Sequence, residues 1–110
     1  AGTVLERIYK AGKFYDARHA KASCENEQCG LVLETDGGAK IAFVQIAGLV
    51  ARRILCYVDK GDRLERGARY GMIRFGSRVD IYLPASFEPL VQVDQITRAG
   101  ETPLARHADR

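Results

Sequence analysis

Two runs of strand length, Leu31-Val32-Leu33-Glu34-Thr35 and Lys40 to Ile46, flank the turn Asp36-Gly37-Gly38 and so dictate a β-hairpin. Glycine takes up positive φ at little cost, and a short glycine turn folds its flanks back antiparallel. The same grammar recurs along the chain. Thr3 to Lys10 alternates and ends at Gly12; Leu49 to Val58 is extended and closes at Asp59-Lys60-Gly61-Asp62. Met72 to Phe75 leads to Gly76-Ser77, and Val79-Asp80-Ile81-Tyr82-Leu83-Pro84 alternates again. Leu90-Val91-Gln92-Val93, a turn, and Thr97 to Thr102 are expected to finish the fold, with His107 onward a frayed tail. No segment sustains a helical period, so the chain is all-β, a sandwich or barrel. Residues 13 to 28 depart from the pattern: a long polar loop, with a short helical turn expected around Ala17 to Ser23. Loops of that length in a compact domain tend to be functional.

At 110 residues the chain makes one domain, 1–110, large enough for a core without staples. Its start at Ala1, without an initiator Met, reads as a piece of a longer protein. Ile41 to Ala51 is the longest apolar run, broken by Gln45 and Gly48 and too short for a transmembrane helix. Cys24, Cys29 and Cys56 are an odd set with no second pair to complete a zinc site, so no metal is expected; Cys56 is read as core. The net charge of +3 comes mostly from Arg. Basic residues at 52, 53, 63, 66, 69, 74 and 78 interleave with acids at 59, 62, 65 and 80, which describes a salt-bridged surface. No aromatic-basic motif accompanies them, so nucleic acid is not an expected partner.

Two segments echo each other: Val58 to Gly67 and Val93 to Glu101 each run from an apolar residue through a polar turn to an apolar residue and a Gly. Paired turns of this kind resemble the biotinyl/lipoyl-like barrel-sandwich fold. A carrier domain of that fold displays a Lys at a hairpin tip, and none of the five lysines stands there. The architecture is expected without the carrier chemistry.

Gly76-Ser77 is a common dipeptide, and alone it marks a turn. Its surroundings are less ordinary. Lys10-Ala11-Gly12-Lys13-Phe14, Lys21-Ala22-Ser23 with Asn26-Glu27, Val44 to Ile54, and Gly71 to Pro84 together resemble the C-terminal part of the phosphatidylserine decarboxylase proenzymes of the short prokaryotic type. The similarity runs from Gly2 to about Glu101.

The resemblance implies self-cleavage between Gly76 and Ser77, giving a β chain that ends at 76 and an α chain that starts at 77. Ser77 would be the precursor of a covalent pyruvoyl cofactor that forms a Schiff base with the substrate amine. The missing side chain at Gly76 leaves room for attack by the Ser77 hydroxyl. Asn26, Glu27, Arg52 and Arg53 are the candidate substrate-binding residues. The implied substrate is phosphatidylserine, and the implied place is the cytoplasmic face of the cell membrane, held peripherally. The family's processing His would precede Ala1, and neither His19 nor His107 occupies its position. The 110 residues alone are therefore expected to be inactive. A second class of function also suits the pattern: a non-catalytic barrel-sandwich module for binding or assembly, with Gly76-Ser77 a structural bulge. Cleavage after residue 76 separates the two.

Overall fold

The computed structural model describes residues 1–14, 18, 21–48, 54–73 and 77–107, without the side chains of 23 and 24. Among the described residues nine strands and one helical turn follow in order: β1 Gly2–Lys10, α1 Ala22–Glu25, β2 Gln28–Thr35, β3 Lys40–Ile46, β4 Ile54–Cys56, β5 Arg63–Leu64, β6 Gly71–Ile73, β7 Arg78–Tyr82, β8 Phe87–Pro89 and β9 Ala105–His107. The result is an all-β, barrel-sandwich-like fold.

The expected hairpin is the centre of the main sheet. β2 and β3 pair from Gln28↔Ile46 to Glu34↔Lys40, and the Gly38 N–H donates to the Thr35 carbonyl to close the turn. β1 and β5 add on one side and β7 on the other, giving the antiparallel order β5-β1-β2-β3-β7. Directly paired residues share a face. One face therefore carries Val4, Leu31, Cys29 and Gln45, all buried. Over it lies the two-stranded β4–β6 ribbon, with the Phe43 and Tyr70 rings meeting edge to face at 4.9 Å. At full burial each aliphatic side chain of this core contributes about 1.5–3 kcal/mol.

The echo between the two turn segments is real, but its register differs from the apolar alignment. Asp62 N–H donates to the Asp59 carbonyl and Ala68 N–H to Glu65; 33 positions on, Gln95 donates to Gln92 and Glu101 to Arg98. Even the side-chain bonds repeat: Asp59 N–H to Asp62 Oδ2 at 2.8 Å, and Gln92 N–H to Gln95 Oε1 at 3.0 Å. Turn chemistry, rather than Val58 and Val93, sets the correspondence. β5 follows the first turn and pairs with β1. Its counterpart, Ile96–Thr97, has no strand partner among the described residues, which leaves Val93 and Ile96 92% and 89% exposed.

Four local expectations need correction. Leu90 to Val93 is not a strand: the Leu90 N–H still donates to the Leu104 carbonyl at 2.8 Å, but the turn at Gln92 then takes the chain away, and Asp94 takes φ 69°. Thr97 to Thr102 is likewise turn and coil; the chain ends instead in the β8–β9 ladder. His107 is therefore no frayed tail: it pairs with Phe87 and its ring stands edge-on to that ring at 5.1 Å. The helical turn forms at Ala22–Glu25, later than expected, on a buried Ala22. Of the extended run 49–58, the described part is β4, while 49–53 lie outside the described residues. Cys56 is half-buried, its Sγ 3.6 Å from the Val58 carbonyl.

The charged surface is ion-paired as its sequence suggests. Arg63 holds Asp36 and Glu65, Lys60 meets Glu6, and Arg78 meets Asp80 at 2.9 Å.

Candidate active site

Four sequence stretches converge on one end of the main sheet. β3 ends at Ile46, opposite Arg78 of β7 and Gln28 of β2. One step beyond each of these stand Ala47, Ser77 and Glu27. The ladder stops at Ile46↔Arg78, with Ala47 and Ser77 the residues that flank its end, and the Ala47 N–H donates to the Glu27 carbonyl at 3.0 Å. Asn26 is fully buried beside them, its Nδ2 donating to the Ala47 carbonyl at 2.7 Å. Asn26, Glu27 and Ser77 thus share one corner.

Gly12-Lys13 closes that corner from β1. Lys13 N–H donates to the Glu25 carbonyl and Glu27 N–H to the Lys13 carbonyl. A Cβ at Gly12 would run into the Glu25 carbonyl and come within 3.0 Å of the Glu27 nitrogen, so only glycine lets the two segments touch. The Lys13 ammonium lies 3.7 Å from Glu25, and Gln28 Nε2 donates to the Asn26 carbonyl at 3.1 Å.

Glu27 has a side-chain partner that the sequence did not signal. The Tyr9 phenol is pushed up in pKa chiefly by its hydrogen bond to the Glu27 carboxylate. Acceptance of the phenolic proton by a carboxylate favours the neutral phenol. Glu27 therefore presents a hydrogen-bonded carboxylate at the edge of the corner.

Gln45 is a second residue missed in the sequence reading, although the apolar run around it marks it as a polar residue in a core strand. It is 2% exposed, opposite Cys29 and Val79 in the ladder. Its Nε2 donates to the Leu55 carbonyl at 3.3 Å, while Oε1 is buried and has no partner among the described residues. Burial raises the neighbouring Cys29 thiol in pKa, the charge of Cys56 adds to that, and Arg7 opposes it.

Gly76, Arg52, Arg53 and His19 lie outside the described residues. Ser77 is half-buried and immediately precedes β7. Among the described residues no group of three or more His, Cys, Asp or Glu could hold a metal ion, and no helix is long and apolar enough to cross a membrane. A cavity of about 840 Å³ opens at the other end of the sheet, lined by the β2–β3 turn with Phe87 and His107; it contains none of the corner residues.

β6 is held by its own ladder to β4 and by the Tyr57 N–H bond to the Tyr70 carbonyl. β7 is held by five register partners on β3. Ser77 immediately precedes β7.

The family model described as phosphatidylserine decarboxylase matches residues 1–105. The phosphatidylserine decarboxylase proenzyme of Trichlorobacter lovleyi is 74% identical over 106 residues, covering 96% of this chain and 48% of that protein. Proenzymes of the same name from Geobacter sulfurreducens and Pelobacter propionicus are 60% and 56% identical, over 94% and 96% of this chain and 48% of each relative. The chain spans about half the length of the curated relatives it matches. No solved structure matches it. With the motif stretches gathered at one corner and the match running through residue 105, the chain belongs to the phosphatidylserine decarboxylase family.

Proposed function

We propose that the chain carries the self-cleaving, pyruvoyl-forming site of an enzyme that decarboxylates phosphatidylserine to phosphatidylethanolamine. The observation that carries this reading is the placement of Ser77 between two independently anchored strands, beside Ala47, Asn26 and Glu27. The Ser77 hydroxyl attacks the Gly76 carbonyl carbon, and the amide nitrogen leaves as the amine of residue 77, giving an ester. Elimination across Cα–Cβ expels the Gly76 carboxylate and leaves dehydroalanine. Tautomerisation, addition of water and loss of ammonia yield the pyruvoyl group.

Residues of the corner suit that group. The strand end fixes the backbone of residue 77, and the buried Asn26 amide fixes the Ala47 carbonyl past the end of the paired strand. Once formed, the pyruvoyl carbonyl would supply an electron sink for the carboxylate lost from the substrate. Asn26 shapes the wall, with its Nδ2 committed to Ala47, while the Glu27 carboxylate faces outward to Tyr9. A lipid substrate also brings with it a peripheral position at the cytoplasmic face of the cell membrane. Arg52 and Arg53 remain the candidates for its phosphate, on the chemistry of guanidinium forks.

Intact-mass spectrometry tests the reading on a polypeptide that carries this sequence at the length of its relatives. Two fragments divided after residue 76 are expected, the second lacking a free amine. Ser77→Ala should give one unbroken chain and no carbon dioxide release. Decarboxylation that survives Ser77→Ala would falsify the proposal.

A further inference from the structure

We infer that Gln45 Oε1 is the acceptor for the amino group of the substrate's serine headgroup. The inference rests on the pyruvoyl reading of Ser77 and assigns the amine a place within it.

Three observations place the acceptor. Gln45 is opposite Val79, and Val79 is two residues from Ser77, so alternation puts residues 45 and 77 on one face as diagonal neighbours. Diagonal pairs of an antiparallel ladder stand about 7–8 Å apart, within reach of a long side chain. Secondly, the amide is fixed. Its Nε2 is committed to the Leu55 carbonyl, and a Cβ at Gly71 would stand 2.9 Å from that nitrogen. The hydrogen-bond network sets which end is oxygen. Gly71 opens β6 against Gln45, and Ser77 immediately precedes β7, the strand that pairs with Gln45's own.

The third observation is the empty acceptor. A buried carbonyl-type oxygen without a donor costs desolvation and needs an explanation. Among the described residues nothing donates to Oε1, and Cys29 and Val79, its ladder neighbours, do not fill the role. An ammonium or amine N–H does. The same oxygen discriminates by charge, because it repels a carboxylate and so turns that end of the headgroup away. The amine is then presented at residue 77 with the carboxylate on the far side.

The test uses the full-length polypeptide and phosphoethanolamine, an amine with no carboxylate to lose. Cyanoborohydride traps amine capture at residue 77: the carbonyl oxygen leaves as water, hydride adds to the carbon and a proton to the nitrogen, and the α chain gains the amine's mass less one oxygen. Gln45→Met, nearly isosteric but without an acceptor, should still cleave after residue 76. Its half-saturating phosphoethanolamine concentration should rise by about tenfold or more, the loss of one hydrogen bond to a charged group. Unchanged capture in a cleaved Gln45→Met chain overturns the assignment. So does a Gln45→Met chain that stays whole while wild type cleaves, since the acceptor then serves the cleavage step. An uncleaved wild type, by contrast, defeats the pyruvoyl reading itself.

Discussion

Asn26 reaches across the chain to the Ala47 carbonyl at 2.7 Å, and both residues are completely buried. This one bond ties the end of the polar loop to the end of β3. It also gives Asn26 a wall-building role, with its donor turned into the protein rather than toward a headgroup. Asn26→Asp removes the donor and sets a carboxylate against a carbonyl oxygen; Asn26→Ala leaves that oxygen unpaired. Each should lower stability by about 1–3 kcal/mol, with Asp the worse of the two. Urea denaturation with an unchanged slope is the measurement. A variant as stable as wild type would show that water replaces the amide without loss.

Gly71 and Gly30 offer a paired comparison, one in the ribbon and one in the main sheet. At Gly30 an added Cβ meets the Val44 Cγ2 at 3.5 Å and the Ile8 carbonyl oxygen at 3.9 Å, both ordinary contacts. At Gly71 it meets the Leu55 carbonyl and Gln45 Nε2, both held in place. Gly71→Ala should therefore cost about 1–3 kcal/mol by forcing the ribbon off the sheet, whereas Gly30→Ala should cost much less. Thermal melts of the two variants side by side decide it. Equal midpoints would mean that the ribbon shifts freely.

Much of this architecture is legible because it rests on local chemistry. Asp36-Gly37-Gly38 fixes a hairpin whatever surrounds it, and β3 runs over Lys40–Ile46 as its alternation predicts. The family signature likewise directs attention to Ser77, Asn26 and Glu27; Asn26 and Glu27 both bond to Ala47 at the end of β3, and Ser77 precedes β7, the strand paired with it. What the sequence hides is whatever depends on distant partners. Leu90 to Val93 has strand-like residues, yet a strand needs a neighbour and a turn claims Gln92 first. His107 looks terminal until Phe87 gives it a ladder partner. Gln45 looks like one polar residue in an apolar run. Its unpartnered oxygen exists only because Leu55, ten positions away, takes its nitrogen. The Tyr9–Glu27 contact similarly needs the register of β1 against β2, which no local pattern supplies.

Cys29 and Cys56 should separate by reactivity and by pH. Cys29 is buried in the row of Gln45, and burial first, then the charge of Cys56, pushes its thiol up in pKa, with Arg7 opposing. Thiolate is the nucleophile, so a buried neutral thiol reacts slowly. Iodoacetamide with peptide mapping should label Cys29 at least about tenfold more slowly than half-buried Cys56, because labelling Cys29 requires local opening. The stability effect follows from the same shift. In the folded chain the thiol keeps its proton to higher pH than in the unfolded chain. Above the ordinary thiol range the unfolded state therefore holds fewer protons, and stability falls as pH rises toward the folded value. Cys29→Val, which removes the titrating group and keeps an apolar side chain, should flatten that alkaline decline in urea titrations. A decline as steep in Cys29→Val as in wild type would assign the loss to another group.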